Sequence, residues 1–320
     1  AAIMHSTYLP SAAVLTASYM LISGWRDRAW WRALGLGLLA LLLVSPVLLH
    51  NALNLGPTTV DLWNQAQDII VNYRIPHHSL PEIWLDQTVY AKMAIVGFAL
   101  LLVRNARLGI IMGLAAFAAV GLTLVELRWS SDTLAFIAPW RISTFLVPLS
   151  SATIIAAALA WLGERLAGPL TRFRFVAVFP ALVALALLVT QGWNAMERNV
   201  AERRTDYRAG LFHFVGESAA EESVFLVPTG MAEFRLATGA PVLVTFKSHP
   251  YKDTEVIEWR ARVDAANGFY GEPTCGRLLE LMERFPITHV VLEPGQLPDG
   301  CLELEPLYED PSFRVSRVIN

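Results

Sequence analysis

Three polar clusters in this 320-residue chain carry side chains dense enough for chemistry. The densest is Arg74-Ile75-Pro76-His77-His78-Ser79-Leu80-Pro81. Arg74 and two adjacent imidazoles offer several donors to an anion, and histidine can move protons near neutral pH. Pro76 and Pro81 stiffen the run and are expected to keep it out of a helix. The two histidines make a poor metal pair, because neighbouring side chains diverge on regular elements. A competing reading makes the run a cap on a helix bundle, its histidines bonded to backbone carbonyls.

The second cluster joins Trp129-Ser130-Ser131-Asp132 to Pro139-Trp140-Arg141-Ile142-Ser143. Arg141 stands just before a hydrophobic stretch, at the depth of lipid headgroups, where a guanidinium could clamp a phosphate with two parallel bonds. It could equally reach for the interface beside Trp140. Glu126 and Asp132 are the acids best placed to act as a base or a metal ligand. No pair of acids in these outer loops has a D-x-D spacing, so the metal signal is weak; a divalent metal is possible and no cofactor is certain. The third run is Phe246-Lys247-Ser248-His249-Pro250-Tyr251-Lys252-Asp253, with Trp259 two turns beyond. It follows an expected strand and precedes an expected helix, where α/β sheets tend to bind ligands. Lys247 could hold an anion there, while His249, Tyr251 and Trp259 could contact an acceptor or form a lid. An ordinary packed loop is the alternative. No P-loop, GxGxxG or HExxH motif is present.

The elements that position these clusters follow from hydrophobicity. Apolar residues make up 54% of the chain and charged residues 17%, well short of the quarter typical of soluble proteins. Six stretches, Ile3–Ile22, Ala33–Leu49, Val89–Val103, Leu108–Leu124, Phe145–Leu162 and Phe175–Thr190, approach the ~17–25 residues needed to cross a bilayer. The expected fold is therefore a six-helix membrane bundle over residues 1–191, followed by a small soluble α/β domain over 192–320. The first part holds 12 basic and 8 acidic residues and the second 13 and 20. An acidic domain argues against nucleic-acid binding. The long loop 51–88, with Trp63 and Trp84, is expected to contain short interfacial helices. His5-Ser6-Thr7 opens the first stretch, and Pro10 is expected to kink it. The chain begins Ala1-Ala2-Ile3 with no basic n-region or cleavage pattern; the expected reading is a fragment whose natural start lies upstream.

Loop charges orient the bundle. Loops 24–32 and 163–174 and the turn carrying Arg104 and Arg107 are basic, which favours the cytoplasm. Loops 51–88 and 125–144 are richer in acids and alternate with them, so they fall outside, as does the C-terminal domain. Arg198, Arg203 and Arg204 after the last stretch point the other way. Cys275 and Cys301 are the two cysteines of the chain; an extracytoplasmic domain could join them, whereas buried free thiols are the alternative. In the soluble part, Ser223–Pro228, Pro241–Phe246 and Thr288–Glu293 read as strands. Thr254–Ala266, capped by Asp253, and Cys275–Phe285 read as helices. Leu302–Tyr308 and Phe313–Val318 read as a closing hairpin. Gln191–Gly216 is expected to continue the last membrane helix.

This layout, outward-facing polar loops followed by an extracytoplasmic α/β domain, resembles the C-terminal part of the C-type glycosyltransferase superfamily. The R-x-P-H-H-x-x-P run at 74–81, with the Phe246–Asp253 run, resembles an uncharacterised family of bacterial polytopic membrane proteins. The superfamily resemblance implies an integral membrane enzyme acting outside the cytoplasm on a sugar carried by polyprenyl phosphate. Its diagnostic acid in the first outer loop has no counterpart here, so the resemblance assigns no catalytic residue. On that reading Arg74, Arg141 and Lys247 hold the lipid phosphate, and His77, His78, Asp132 or Glu126 serve as base. Two other classes compete: a lipid or solute transporter, which requires broken helices and polar groups at mid-membrane, and a non-catalytic scaffold for envelope assembly. Sugar, acceptor and oligomeric state are not written in the sequence.

Overall fold

The computed structural model describes residues 8–129, 131–167, 174–296, 301 and 304–319. Contacts divide the chain into two units, Ala1–Leu188 and Val189–Asn320.

The first unit is helical. Its long helices are α1 (Leu9–Trp25), α2 (Trp30–Asn54), α6 (Gln87–Leu102), α7 (Ala106–Trp129) and α9 (Ser143–Ala167); α10 (Arg174–Arg204) runs across the division. Between α2 and α6 lie α3 (Val60–Asp68), a π-helical turn (Ile69–Arg74), and the single turns α4 (Pro76–Ser79) and α5 (Pro81–Trp84). Short helices were expected in this loop, yet the prolines act differently from expectation. Each starts a helical turn, where its missing N–H is no loss. Pro10 likewise sits in the first turn of α1 and does not kink a span. Side chains set the other boundaries: Thr59 caps α3 and Asp86 caps α6. Ser131 caps α8 (Asp132–Ile137). Ala138 then adopts a left-handed φ of 48°, a costly conformation outside glycine. It breaks α8 and turns the chain into the 3-10 turn Pro139–Ile142 that leads into α9.

Among the described residues, three helical segments are long and apolar enough to cross a membrane: Trp30–Asn54, Ala106–Trp129 and Asp132–Arg165, the last taking in α8, the 3-10 turn and α9. The described part of each of the six apolar stretches lies mainly on a helix, but six spans are not shown. At 16 residues, α6 rises only ~24 Å against a ~30 Å hydrocarbon core. The second half of α10 carries Glu197, Arg198, Glu202 and Arg203. Outward faces are strongly apolar, with Leu38, Leu42, Leu101 and Phe117 at 67%, 69%, 84% and 76% exposure. Water would not tolerate such a surface, whereas lipid would. The interior is built on small residues: Ala99 and Ala115 are fully buried, and with Met112, Ile142 and Leu146 they let α6, α7 and α9 approach closely.

At one end of this unit, Arg107 bonds Asp27 at 2.9 Å and Arg104 bonds Glu164 at 3.3 Å. These pairs gather the α1–α2 turn, the α6–α7 turn and the end of α9 on one side, so the three basic loops share a face. Arg172, in the last of these loops, lies outside the described residues, as do His5, Ser6, Thr7, Ser130 and Leu302.

The second unit contains α11 (Ala209–Ser218), β1 (Phe225–Leu226), α12 (Phe234–Thr238), α13 (Asp253–Gly271), α14 (Cys275–Arg284), β2 (His289–Leu292), β3 (Leu304–Glu309) and β4 (Arg314–Val318). The sheet order is β1-β2-β4-β3. β1 and β2 are parallel, and the other pairs antiparallel. Phe225, Val227, Phe234, Val291 and Val315 form the core with Leu211 and Val215 of α11. Three details differ from expectation. Residues 241–246 make no strand; Val242 meets Phe225 in an isolated parallel bridge. The chain does not run as one helix from 191 to 216, because Asp206, bonded to the backbone and guanidinium of Arg208, turns it between α10 and α11. Asp253 is the first residue of α13, with Lys252 at the cap position. Cys275 and Cys301 are disulfide-bonded, their Cα atoms 5.7 Å apart.

Candidate functional site

The two polar clusters of the first unit meet. Trp140 donates its indole N–H to the His78 carbonyl at 2.7 Å. Its ring stacks on Trp84, centroids 5.3 Å apart, and lies 5.6 Å from the His78 ring. The 76–84 segment is itself pinned, since the buried Ser79 hydroxyl contacts the carbonyl oxygens of Val71 and Ile75 at 2.7 and 2.8 Å. The left-handed Ala138 turns the 3-10 segment so that Trp140 and Arg141 face this loop. Burial pushes the His78 imidazole down to a pKa of about 4, and the positive charges of His77, Arg141 and Arg74 add to the effect. His78 is therefore neutral at physiological pH, and two guanidiniums stand close enough to influence it. His77 and His78 do not diverge as expected; their ring centroids lie 4.2 Å apart.

Acids and amides surround this core. Thr133 donates to the Gln67 side-chain oxygen at 3.2 Å, joining α8 to α3. Gln67 and Glu126 are buried, and the Gln67 amide nitrogen and one Glu126 oxygen have no hydrogen-bond partner among the described residues. Such groups are rare in a finished interior. Glu126 is near enough to Glu82, and Asp132 to Asp68, for their charges to interact. Among the described residues, no three His, Cys, Asp or Glu side chains gather as a metal site.

Beside the Trp84–Trp140 pair opens an apolar crevice of about 380 Å³, walled by α6, α7 and α9. Val96, Leu100, Ala116, Val120, Leu124 and Leu146 line it, and Lys92 enters from α6. The slot shares Trp84 and Trp140 with the neighbouring His78 cluster, so an apolar tail lying in it would end beside that polar group. Sequence reasoning missed this slot. Its lining residues lie on three helices, and their pattern is that of any membrane helix.

The third cluster stays within the second unit. Lys247 is exposed. The His249 ring lies 5.2 Å from Tyr251 and 6.0 Å from Trp259. Trp259 is buried, and its indole donates to the Thr245 carbonyl at 3.0 Å. It anchors the loop from beneath and presents no contact surface of its own. Tyr270, partly buried, places its hydroxyl 2.9 and 2.8 Å from the carbonyl oxygens of Leu226 and Val291, bridging the two parallel strands; desolvation raises its pKa well above the ordinary phenol value.

Residues 209–266 match the model of a family described as a domain of unknown function (DUF6798). The matched segment contains α11, β1, α12, the Phe246–Asp253 run and most of α13. No curated protein and no solved structure matches the chain.

Proposed function

We propose that this chain is an integral membrane protein of six spans that binds a polyprenyl-phosphate-linked sugar at the extracytoplasmic face, in the manner of a C-type glycosyltransferase. The observation that carries the reading is the junction of the apolar crevice with the Arg74–His78–Arg141 cluster across the Trp84–Trp140 pair. The crevice accepts isoprenoid chain, the aromatic pair sits at the boundary between tail and headgroup, and the guanidiniums bind phosphate by charge-assisted bonds. The neutral His78 imidazole can accept a hydrogen bond from an attacking hydroxyl and orient it. His77, Glu126 or Asp132 would take its proton. The disulfide supports an extracytoplasmic second unit, because such bonds persist in oxidising compartments. The shared face of the three basic loops supports the same orientation.

The test uses the full chain in nanodiscs, with polyprenyl phosphate and the matching polyprenol as probes. The wild type is expected to prefer the phosphate. Arg74→Ala with Arg141→Ala is expected to lower phosphate affinity by at least ~150-fold, since each charge-assisted bond contributes roughly 1.5–3 kcal/mol. Polyprenol binding should persist. An undiminished phosphate preference in the double variant overturns the reading.

A further inference from the structure

The second unit holds a cleft that no motif announced. Its volume is about 570 Å³, within the ~300–1,000 Å³ of small-ligand sites. It lies where the parallel strands β1 and β2 end, at Pro228–Met231 and Glu293–Pro294, and the β3–β4 turn and the α10–α11 connection complete it. Crevices at the carboxyl ends of parallel strands are the preferred ligand position in open α/β sheets.

Three features define its chemistry. Tyr207 lies on the buried Phe313 ring, centroids 5.6 Å apart and planes within 14°, and is itself 68% exposed. It is thus a supported aromatic platform facing the cleft. The turn beneath it is ordered by Asp310, whose carboxylate accepts from the Ser312 and Phe313 amides at 2.7 Å each and from the Tyr308 hydroxyl. Arg208 also lines the cleft, but its charge is already engaged. Asp206 takes two of its N–H groups at 2.8 Å, and Glu233 a third at 3.2 Å. The exposed Glu293 carboxylate is the other charge on the wall, and Asp206 and Glu233 stand behind the guanidinium they bind, so the local charge gives an anion little attraction.

We infer that this cleft is a binding site for a neutral saccharide. A pyranose ring offers C–H groups to the negative face of Tyr207 and hydroxyl donors to Glu293, whereas a phosphate or uronate meets the Glu293 carboxylate and a guanidinium already paired with Asp206 and Glu233. The guanidinium fixed between Asp206 and Glu233 keeps one N–H edge ordered for a ring oxygen without attracting charged ligands. The site lies wholly in the Val189–Asn320 unit, and its test uses no lipid, so it stands or falls separately from the lipid-phosphate reading.

The experiment is saturation-transfer difference NMR on the full chain in detergent. The probes are methyl α-glucopyranoside, methyl α-mannopyranoside, N-acetylglucosamine and maltotriose, with glucuronic acid and spermidine as anionic and cationic counterparts. Saturation is expected at ring C–H protons of at least one neutral sugar. Tyr207→Ala is expected to weaken it ~10-fold, Tyr207→Phe to preserve it, and Glu293→Gln to weaken it ~10-fold. Tyr207 and Glu293 are exposed, so neither change empties the core, and retention of the α13 amide spectrum verifies folding. Absence of transfer to every neutral probe overturns the inference. So does transfer that survives Tyr207→Ala, or binding confined to glucuronic acid or spermidine.

Discussion

Trp140 is the joint between the two halves of the membrane-unit site, and removing its indole N–H should loosen one loop measurably. In Trp140→Phe the ring still stacks on Trp84, but the 2.7 Å bond to the His78 carbonyl is lost. A net hydrogen bond contributes about 1 kcal/mol, so the local opening equilibrium of the 76–86 segment should rise ~5-fold. Trp140→Ala also removes the stacking on Trp84 and His78 and part of a large apolar burial. The combined loss is about 3 kcal/mol, a ~150-fold rise in opening. Hydrogen exchange with mass-spectrometric readout on the full chain measures this. The reporters are the amides of Leu80, Trp84 and Leu85, which donate within the two short turns; the amides of α13 serve as reference. Unchanged exchange in Trp140→Phe refutes the claim that the indole pins the loop. An equal rise at α13 refutes it as well, by showing a global effect.

Other perturbations follow from the same geometry. The folded-state pKa of His78 lies near 4, below its ordinary 6.5, so the unfolded chain takes the proton first. Stability of the 69–86 segment should therefore decline as pH falls through 6.5 and level off below about 4; His78→Gln should flatten that slope in a pH series of exchange rates. Replacing Cys275 and Cys301 by serine opens a loop of sequence separation 26 and should destabilise the second unit by about 3.5 kcal/mol on chain-entropy grounds, read as a lower unfolding midpoint. In intact cells, a membrane-impermeant maleimide should label these cysteines only after external reduction. Labelling that requires permeabilisation places the second unit in the cytoplasm.

Much of this organisation is legible along the chain. Apolar runs found helices because a membrane helix needs a continuous run, and the charge change near residue 190 marked the change of material. In the second unit, helices α13 and α14, strand β2 and the closing hairpin follow local periodicity. The errors have local causes too. Residues 241–246 read as a strand from composition, but pairing needs a neighbour in register, and only Val242 finds one. Pro76, Pro81 and Pro10 read as helix breakers, although proline is at home in a first turn.

The sequence by itself determined which residues could bear charge and donors in each loop: Arg74, His77, His78, Arg141, Glu126 and Asp132 were all nameable from type and position. It could not determine that residues 74–84 and 138–142 touch. That contact depends on the left-handed Ala138, on the Ser79 hydroxyl held between two carbonyls, and on an indole bond spanning 62 positions. Burial, which keeps His78 neutral, likewise exists only once the loops pack. The apolar crevice and the Tyr207 cleft were decided by tertiary structure alone. Each is lined by residues from separate elements whose own patterns signal only helix, turn or strand end, and a concavity is a property of their arrangement in space.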